Sequence, residues 1–554
     1  FDCPRQEYKD KRFVGTIPTL LNGGTKNGFF GLENSWDMQN YVDVLTNLNK
    51  NIADDYTLAL NVGASLTDQM NDALINQGPL RNDGLPNVFN VQNIEQGAQK
   101  AQFYQKGWRE QTQSVFGSLE VSWRRLLFLT VTGRNDWASQ LAGSNHKSFF
   151  YPSIGLSGIL TDMLSEELRN KMYNSLSFAK LRVAYAQVAS PFQRGLTMQL
   201  NTFSQDDKKW VKEGYYPLKD LKPERTNSFE IGLTTKWIQN KLNFDITYYK
   251  TNTKNQTIKA AMSASSGYNY TYVQTGNVQN QGVEIALGGT INIGKNFSWD
   301  TNFTYGYNKN EIKELVANVK NPQNPNEPLF EKDELLKDNF GNAQIILRPG
   351  GTLGDIYAKT DFVRDAYGNI DISQDLKPRN EYLKLGSLLP DATMGWRNDF
   401  RYKNLSFGFM ISARIGGIVV SGTQAAMDYS GVSKVTADAR DAGGVTLSPG
   451  VVVPAQSYYQ LQGRPKDYLT QYYTYTASNV RLREAYISYN IPRKWLGNVL
   501  DLSLSLTGKN LLMLYCKAPF DPESVSSTGN YAQGLDYFML PSLRSLGFSI
   551  KAKF

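Results

Sequence analysis

The chain has 554 residues, of which 12% are aromatic, led by 32 Tyr and 27 Phe, whereas Cys (2) and His (1) are nearly absent. One His and two Cys exclude a metal site built from several imidazoles or from four thiolates, and a Ser-His-Asp or Cys-His mechanism has to use His146. The net charge of +8 comes without a basic run that would indicate nucleic acid, and mean hydropathy of −0.43 without a long apolar run excludes a helical membrane protein.

Residues 1–35 are rich in Gly, Pro and charge, which predicts an extracellular loop segment. The chain starts at Phe1 with neither a Met nor a charged-then-apolar signal segment. A mature protein or a fragment begins in this way, and the strand count given below favours a fragment.

From residue 36 onward, apolar and polar residues alternate in repeated segments of about ten residues. In Thr57–Thr67, for example, Leu58 and Leu60 share one face, and Asn61 and Gly63 share the other. Strands with one apolar and one polar face produce this period of two, and helices do not. Such segments lie at or near 36–48, 57–67, 113–123, 126–135, 149–158, 178–187, 226–237, 241–251, 276–288, 298–308, 392–402, 404–415, 479–491, 500–507 and 542–554.

The connections between these segments alternate between short and long, with an intermediate one at 159–177. The long connections are 68–112, 188–225, 252–275, 309–391, 416–478 and 508–541. Short turns on one side of a membrane and long extracellular loops on the other are typical of an up-and-down membrane barrel. The sequence therefore predicts an all-β fold, a transmembrane antiparallel up-and-down β-barrel whose C-terminal part is residues 36–554.

The last segment ends the chain on Phe554, with Leu546, Phe548 and Ile550 on the same face. A terminal aromatic residue on an amphipathic strand resembles the signal that hands outer-membrane barrels to their insertion machinery. The alternative is a chance Phe at the end of an ordinary edge strand.

The alternation also assigns side chains to the two faces of the predicted barrel. Lipid-facing residues include Leu242, Phe244, Ile246, Tyr248, Leu500, Leu502, Leu504 and Leu506, and girdle residues include Trp237, Trp299 and Tyr307. Lumen-facing charges are Glu230, Asp245, Asp300, Arg397, Asp399, Arg401 and Arg414, with Arg481 and Arg483 on one face of 479–491.

Four features suggest chemistry, but none of them predicts a functional site. Gly350–Gly354 does not open a helix after a buried strand, so a loop turn explains it better than a nucleotide site. His146 has no nucleophile motif beside it, which favours a solvated loop residue. Cys3 and Cys516 lie in predicted extracellular loops, where a disulfide is permitted, and Asp521 and Glu523 offer carboxylates for calcium without a supporting ligand spacing.

Several stretches resemble motifs of the SusC/RagA-type TonB-dependent outer-membrane transporters of Bacteroidetes. They are GRNDWASQLAGSNHKSFFYPSIGLSGIL (133–160), LKPERTNSFEIGL (221–233), TGNVQNQGVEIAL (275–287), PGGTLGDIYAKTDFVRDAYGNIDIS (349–373), ASNVRLREAYISYNIP (477–492), LTGKNLLML (506–514) and DPE (521–523). Their order and spacing agree with the family over roughly 36–554.

The resemblance implies a 22-stranded barrel, of which this chain supplies about fifteen strands. The remaining strands and the lumen-filling plug would lie in a missing N-terminal part of the same protein. The resemblance also implies a place in the outer membrane of a Gram-negative cell. TonB and its inner-membrane energising complex, together with a SusD-like surface lipoprotein acting as a lid, are the implied partners, and no cofactor is implied.

The function implied is TonB-dependent import of an oligosaccharide or oligopeptide, with glycan preferred on family frequency. The alternatives are a barrel hydrolase that depends on His146 and a passive substrate-specific porin; we do not expect an enzyme. Candidate substrate-binding residues are inward charges or loop aromatics, namely Arg397, Asp399, Arg401, Arg414, Trp210, Tyr215, Tyr216, Tyr458, Tyr459, Tyr472 and Tyr473. For any one charged residue, lumen solvation or contact with the plug is the alternative role.

Overall fold

The structure is a computed structural model, and its described residues leave out several short segments. Described are residues 4–13, 26–52, 55–98, 101–197, 201–204, 209–212, 214–216, 221–261, 270–316, 319, 326–328, 330, 332–340, 343–526 and 534–553. Cys3 and Phe554 lie outside these residues, and so do the disulfide that is permitted between Cys3 and Cys516 and the terminal signal considered for Phe554.

Strands dominate the described residues, and helices are few and short. The first strands are β1 Arg5–Arg12, β2 Phe29–Asn51, β3 Tyr56–Pro79, β4 Gln102–Trp123, β5 Leu127–Ala138, β6 Phe149–Ile159, β7 Leu176–Ser190, β8 Asn201–Ser204, β9 Lys209–Lys212 and β10 Tyr215–Tyr216. There follow β11 Glu224–Trp237, β12 Leu242–Ala261, β13 Tyr270–Ile293, β14 Phe297–Glu314, β15 Leu335–Phe340, β16 Ala343–Leu347, β17 Asp355–Asp361, β18 Val363–Arg364, β19 Ile370–Asp371 and β20 Lys377–Ser387. The last are β21 Ala392–Tyr402, β22 Leu405–Ile415, β23 Ile418–Ser421, β24 Val445–Ser448, β25 Val451–Val453, β26 Thr474–Thr476, β27 Asn479–Ile491, β28 Asp501–Cys516, β29 Leu535–Asp536 and β30 Ser545–Lys553.

The α-helices of the described residues are α1 Glu166–Met172, α2 Gly422–Tyr429, α3 Lys434–Asp441 and α4 Ala455–Gln462. None of the helices in the described part of the chain is long and apolar enough to cross a membrane.

Every alternating segment predicted from the sequence is a strand in the structure. The corresponding strands are β2, β3, β4, β5, β6, β7, β11, β12, β13, β14, β21, β22, β27, β28 and β30. They belong to a large, predominantly antiparallel sheet. The fold class is therefore confirmed, because hydrophobic alternation is the direct signature of half-buried strands.

The chain divides into two compact units. The first unit comprises Phe1–Ile154, Ala186–Thr226 and Asn255–Gln274, and the second comprises Gly155–Tyr185, Asn227–Lys254 and Thr275–Phe554.

In the first unit, β1 to β5 form an antiparallel meander in which each strand pairs with the next. The β2–β3 ladder runs from Phe29↔Pro79 to Asn51↔Thr57, and β3–β4 runs from Tyr56↔Trp123 to Gln77↔Gln102. Two apolar clusters pack where loops meet these strands, around Phe30, Leu80 and Ile94 and around Leu141, Phe149 and Leu221.

The meander strands are longer than a membrane requires. β3 has 24 residues, or roughly 80 Å at about 3.3 Å per residue, whereas about 9–11 residues span a bilayer. The outward face of β3 is apolar up to Leu66 and continues with Asp68, which is paired with Asn40 and Gln111 on the flanking strands. The uninterrupted apolar run on this face therefore ends between Leu66 and Asp68, and beyond it Met70 and Leu74 alternate with Asp72 and Asn76.

The N-terminal region differs from the prediction that 1–35 is a loop. β1 occupies Arg5–Arg12, and β2 already begins at Phe29, opposite Arg12. The sequence of β1, RQEYKDKR, has no apolar face, so hydrophobic alternation cannot reveal it. Pairing with β2 and the guanidinium of Arg5 over the Trp36 ring, at 5.3 Å, support the strand instead.

In the second unit, β13, β14, β21, β22, β27, β28 and β30 pair in that order, and every pair is antiparallel. Small loop sheets accompany them: β15, β16, β17 and β20 form one, and β23 joins β26 and β29 in another. Short helices α2 to α4 lie in the predicted loop 416–478, and strands extend into every predicted long loop.

The two faces of this second-unit sheet carry the predicted side chains. On β28, Leu506 is 57% exposed and lies opposite Phe548, which is 62% exposed, whereas Ser505 lies opposite Ser488 and Ser549. Side chains that are exposed and apolar along a whole strand face suit lipid and not water.

Replacing Leu506 by Arg should lower the free energy of unfolding by about 2–4 kcal/mol if the position is near the bilayer midplane, since the guanidinium would enter hydrocarbon. Replacing its neighbour Ser505 by Arg should have little effect, because that side chain points to the polar face. Outer-membrane yield and heat resistance in detergent, compared for the two variants, measure the difference. Equal damage from both would mean that this strand is buried on both faces.

Candidate functional site

Three predicted site residues form a polar row on β21. Arg397, Asp399 and Arg401 alternate with Trp396, Asn398 and Phe400, as the period of a strand requires. Within the row, Arg397 Nε donates to Asp399 Oδ2 at 2.8 Å, and Arg401 is exposed. The three residues share one face, as the sequence predicted, and the structure adds that the Arg397–Asp399 pair is formed within one strand.

A second carboxylate lies directly across the ladder from this row. Asp300 on β14 is the register partner of Asp399, and its Oδ1 accepts a hydrogen bond from Thr290 Oγ1 at 2.6 Å. Like charges directly opposite each other are unfavourable unless cations offset them. Arg397 and Arg401, on either side of Asp399, supply that compensation.

Tyr486 reaches Asp399 from two strands away, across a glycine. Its hydroxyl donates to Asp399 Oδ1 at 2.7 Å, and Gly408 is the register partner of both residues. A Cβ on Gly408 would lie 2.6 Å from that carboxylate oxygen and closer still to the tyrosine ring. Gly408 therefore leaves the gap through which the side chain of Tyr486 crosses its strand.

The described residues of the second unit show the same arrangement at two further places. Arg182 Nη2 and Nη1 donate to the two carboxylate oxygens of Asp245 at 2.8 and 3.0 Å, and a Cβ on Gly232 would lie 2.6 Å from the Arg182 guanidinium carbon. The hydroxyl of Tyr249 donates to Asn308 at 3.1 Å, where a Cβ on Gly282 would lie 2.6 Å from it. Sequence reasoning identified Asp245 and missed its partner Arg182; a glycine on the polar face of a predicted strand is the signal that marks such crossings.

The first unit holds a comparable polar cluster. Asp136 is 6% exposed and accepts hydrogen bonds from Arg134 Nε at 2.7 Å and from the Tyr151 hydroxyl at 2.8 Å. Arg134 also donates to Ser114 Oγ at 2.7 Å. Sequence reasoning missed this cluster because its members come from three strands.

Arg481 and Arg483 belong to a buried charge network with the DPE segment. Arg481, whose side chain is 3% exposed, donates to Asp521 at 2.8 and 3.2 Å and lies 3.4 Å from Glu523. Arg483 pairs with Glu523 and donates to Ser412 Oγ at 2.8 Å. These arginines, predicted to line the lumen or contact a plug, thus bind a loop of their own chain, and the carboxylates considered for calcium serve arginine instead.

Arg414, another predicted site residue, lies at the end of β22. Its Nη2 donates to the Leu388 carbonyl at 2.9 Å, and its Nε is buried without a hydrogen-bond partner among the described residues. Arg414 therefore contacts the base of the loop 309–391.

The predicted aromatic residues of α4 and the segment after it pack between loops. Phe362, which is 1% exposed, stacks on Tyr458 at 5.4 Å between ring centroids and meets Tyr472 edge-on at 5.7 Å. Gln471 Nε2 also donates to the Thr360 carbonyl at 3.1 Å. These contacts join the loops 309–391 and 416–478.

The remaining predicted aromatics differ widely in exposure. Tyr473 is 1% exposed, and Tyr215 is 6% exposed with its hydroxyl donating to the Gly195 carbonyl at 2.7 Å, so both support loop packing. Tyr459 and Tyr472 are partly exposed, and Trp210 is 70% exposed. The side chain of Tyr216 lies outside the described residues.

Burial raises the pKa of the loop tyrosines. Burial, helped by the neighbouring Tyr472, raises the pKa of Tyr458 to about 12, and burial does the same for Tyr468. For Tyr473, burial and the carboxylate of Asp428 raise the pKa further. These hydroxyls, which are neutral at physiological pH in any case, therefore stay neutral to a higher pH than that of an ordinary tyrosine.

The structure describes two features that the sequence left as weak candidates. The segment Gly350–Gly354 is a turn held by Asp355, whose carboxylate accepts hydrogen bonds from the Thr352 backbone N–H at 3.1 Å and from its hydroxyl at 2.7 Å. The backbone N–H of His146 donates to Ser144 Oγ at 3.0 Å. Within the described residues, no group of His, Cys, Asp or Glu has the arrangement of a metal site.

Comparison with known proteins identifies the class of this chain. Residues 6–511 match the family described as TonB dependent receptor-like, beta-barrel, so the chain belongs to that family, whose members are outer-membrane β-barrels. TonB-dependent receptor P3 of Formosa agariphila is 25% identical over 523 residues, covering 84% of this chain and 48% of that receptor. TonB-dependent receptor SusC of Bacteroides thetaiotaomicron is 23% identical over 417 residues, covering 69% and 38%.

Solved structures agree with this class at the level of the fold. The RagAB peptide importer in its open-open state matches with a TM-score of 0.75 at 17% identity, covering 100% of this chain and 58% of that one. The closed-closed state matches equally well at 18% identity. The chain spans about half the length of the curated relatives it matches.

Replacing Gly408 by Ala should break the hydrogen bond between Tyr486 and Asp399, because the added methyl occupies the crossing gap. Overpacking of this kind costs about 1–3 kcal/mol of unfolding free energy. Gly306→Ala is the matched control on β14, since its Cβ would meet nothing nearer than Thr393 Oγ1 at 3.6 Å. Unfolding in detergent measures both, and equal stability of the two variants would contradict the crossing.

Replacing Asp521 by Asn should cost up to about 3–5 kcal/mol at neutral pH, since the buried Arg481 loses its bidentate carboxylate partner and keeps only Glu523, 3.4 Å away, as a counter-charge. Burial alone would raise the pKa of Asp521, but hydrogen bonds from Arg481 and Ser542 outweigh it and hold the pKa below the ordinary 3.8. The contribution is therefore complete above the ordinary pKa and is lost as the pH falls through the lowered one.

Urea unfolding of the wild type and of Asp521→Asn at several pH values tests this, and the difference should shrink in acid. Asp501→Asn is the control, because Asp501 and its neighbour Arg493, 3.7 Å apart, are both more than half exposed. Such exposed pairs contribute about 0–1 kcal/mol. A difference between wild type and Asp521→Asn that stays constant down to strong acid would contradict the assignment.

Proposed function

We propose that the chain is the C-terminal part of a TonB-dependent transporter that imports a nutrient oligomer, an oligosaccharide or oligopeptide, across the outer membrane. The observation that carries this proposal is the polar face of the second-unit sheet, on which Arg397 pairs with Asp399 and Arg182 pairs with Asp245. In a barrel of this family that face lines the lumen. A hydrophilic wall with few free charges lets a polar solute or a plug move past without binding tightly.

In this proposal residues 36–554 supply about fifteen strands of the wall and the long extracellular loops, while 1–35 lie on the extracellular side. The remaining strands and the plug belong to an N-terminal part of the same protein. TonB and its inner-membrane complex supply the energy. Membership of the TonB-dependent receptor family supports this assignment of roles to the barrel, the plug and TonB.

A SusD-like lipoprotein is the partner that we propose for the extracellular surface. Similarity to SusC of Bacteroides thetaiotaomicron and to the RagAB peptide importer supports it. The loops 309–391 and 416–478, joined through Phe362 and Gln471, offer a stable surface for such a lid.

Among the predicted substrate-binding residues, we propose that Arg401, Trp210, Tyr459 and Tyr472 contact substrate, because their side chains are at least partly exposed. Arg397 and Asp399 are already paired with each other, and we assign them to the lumen wall. Arg414, Tyr215, Tyr458 and Tyr473 support loop packing.

Deleting the full-length gene should abolish growth on one oligomeric nutrient, tested with defined oligosaccharides and oligopeptides as sole carbon sources. Complementation with the wild type or with His146→Ala should restore growth, and loss of TonB should prevent it. Growth that survives loss of TonB would indicate a passive porin. Restoration by the wild type but not by His146→Ala would favour a barrel hydrolase.

A further inference from the structure

A small polar pocket lies among the three short helices of the loop 416–478, apart from the polar face of the strands. Its volume is about 220 Å³. The end of α2, one face of α3 and one face of α4 line it, through Asp428, Tyr429, Ser430, Gly431, Thr436, Arg440, Ala455, Gln456, Tyr459 and Gln460.

The walls of this pocket are held by capping contacts. Ser421 Oγ accepts from the Gln424 backbone at the start of α2, and it also donates to Asp536, with both residues buried. Arg440 Nη1 on α3 donates to the Gly431 carbonyl at 2.9 Å. Gly431 has a φ of +70°, a conformation that costs a glycine little. The pocket is therefore formed before any ligand arrives.

The interior of the pocket carries a buried carboxylate. Asp428 is 5% exposed, and its Oδ1 accepts from Gln424 Nε2 at 2.8 Å. Burial raises the pKa of the Tyr459 hydroxyl, and the negative charge of Asp428 raises it further. Asp428 and Tyr459 thus line the same pocket and influence each other electrostatically.

The rim of the pocket carries uncharged hydrogen-bonding groups and flat rings. Gln456 and Gln460, one turn apart on α4, are exposed, and each amide offers two donors and one acceptor. Tyr429 is 36% exposed, and the ring of Tyr459 lies partly exposed beside the amides. Rings with a polar tip, placed beside amides and a carboxylate, match the apolar faces and the hydroxyl groups of a sugar.

The volume of the pocket limits the size of the ligand. Pockets that bury drug-sized ligands have roughly 300–1,000 Å³, so this one takes a single small unit. Phosphate and free carboxylate ligands are disfavoured because Asp428 is anionic and Arg440 is already bonded to Gly431. We propose that the pocket is an accessory binding site for one neutral hexose residue, by which the extracellular loop holds a glycan outside the lumen.

The test uses the full-length protein in a detergent without a sugar headgroup, with saturation-transfer NMR and titration. Methyl glycosides of glucose, galactose and mannose are the probes, and a triglycine peptide is the control ligand. At least one glycoside should bind, and Gln456→Ala combined with Gln460→Ala should weaken binding about tenfold, the effect of one or two lost hydrogen bonds.

Ser457→Ala is the matched control variant, because Ser457 is exposed on the same helix and does not line the pocket. It should leave binding unchanged. Absence of signal from every glycoside, binding of triglycine instead, or equal binding by the double variant and the control would each overturn the proposal. Because the readout is binding and not uptake, the site can fail while the proposed transport function stands, and the reverse also holds.

Discussion

Backbone pairing between neighbouring strands is the constraint on which the rest of this structure depends. In lipid, every N–H and C=O of a spanning strand needs a partner, so each strand is fixed against the next in one register. A slip of one residue would exchange the two faces and turn Asp399 or Asp245 toward hydrocarbon. The same registers bring Asp399, Gly408 and Tyr486 into one line across three strands.

The polar face of the barrel carries many charges, and pairing offsets the cost of placing a charge there without a partner. Charges are paired within a strand, as for Arg397 and Asp399, or across a glycine, as for Arg182 and Asp245. Glycine normally weakens a strand, because it leaves nothing to pack. Here the space left by the glycine admits a hydrogen bond between the two strands on either side of it. Such a bond connects strands that are not neighbours, in addition to the backbone pairing of adjacent strands.

The loops are stabilised mainly by contacts between side chains. The loops bury apolar side chains of their own, such as Leu315, Ile345 and Leu469, and rings and ion pairs from distant segments also fasten one loop to another. Phe362 stacks on Tyr458, and Arg481 binds Asp521 forty positions later in the chain. A high aromatic content thus serves the internal packing of the loops as well as the surface they present. Composition alone cannot separate these two uses, which is why Tyr473 was expected at a binding surface and is buried.

The sequence by itself determined the strands, their faces and the class of fold, because period-two alternation is a local property that each segment displays without its neighbours. It also placed Arg397, Asp399 and Arg401 on one face for that reason. The tertiary structure alone decided which charges meet, since Arg182 and Asp245 or Arg481 and Asp521 come together only when strands and loops are assembled. It likewise decided the strand Arg5–Arg12, whose side chains show no apolar period and whose stability comes from pairing with β2. The local pattern of a segment determines which face of the strand each side chain occupies. Contacts between distant segments depend on strand register and on loop packing, and neither can be read from one segment alone.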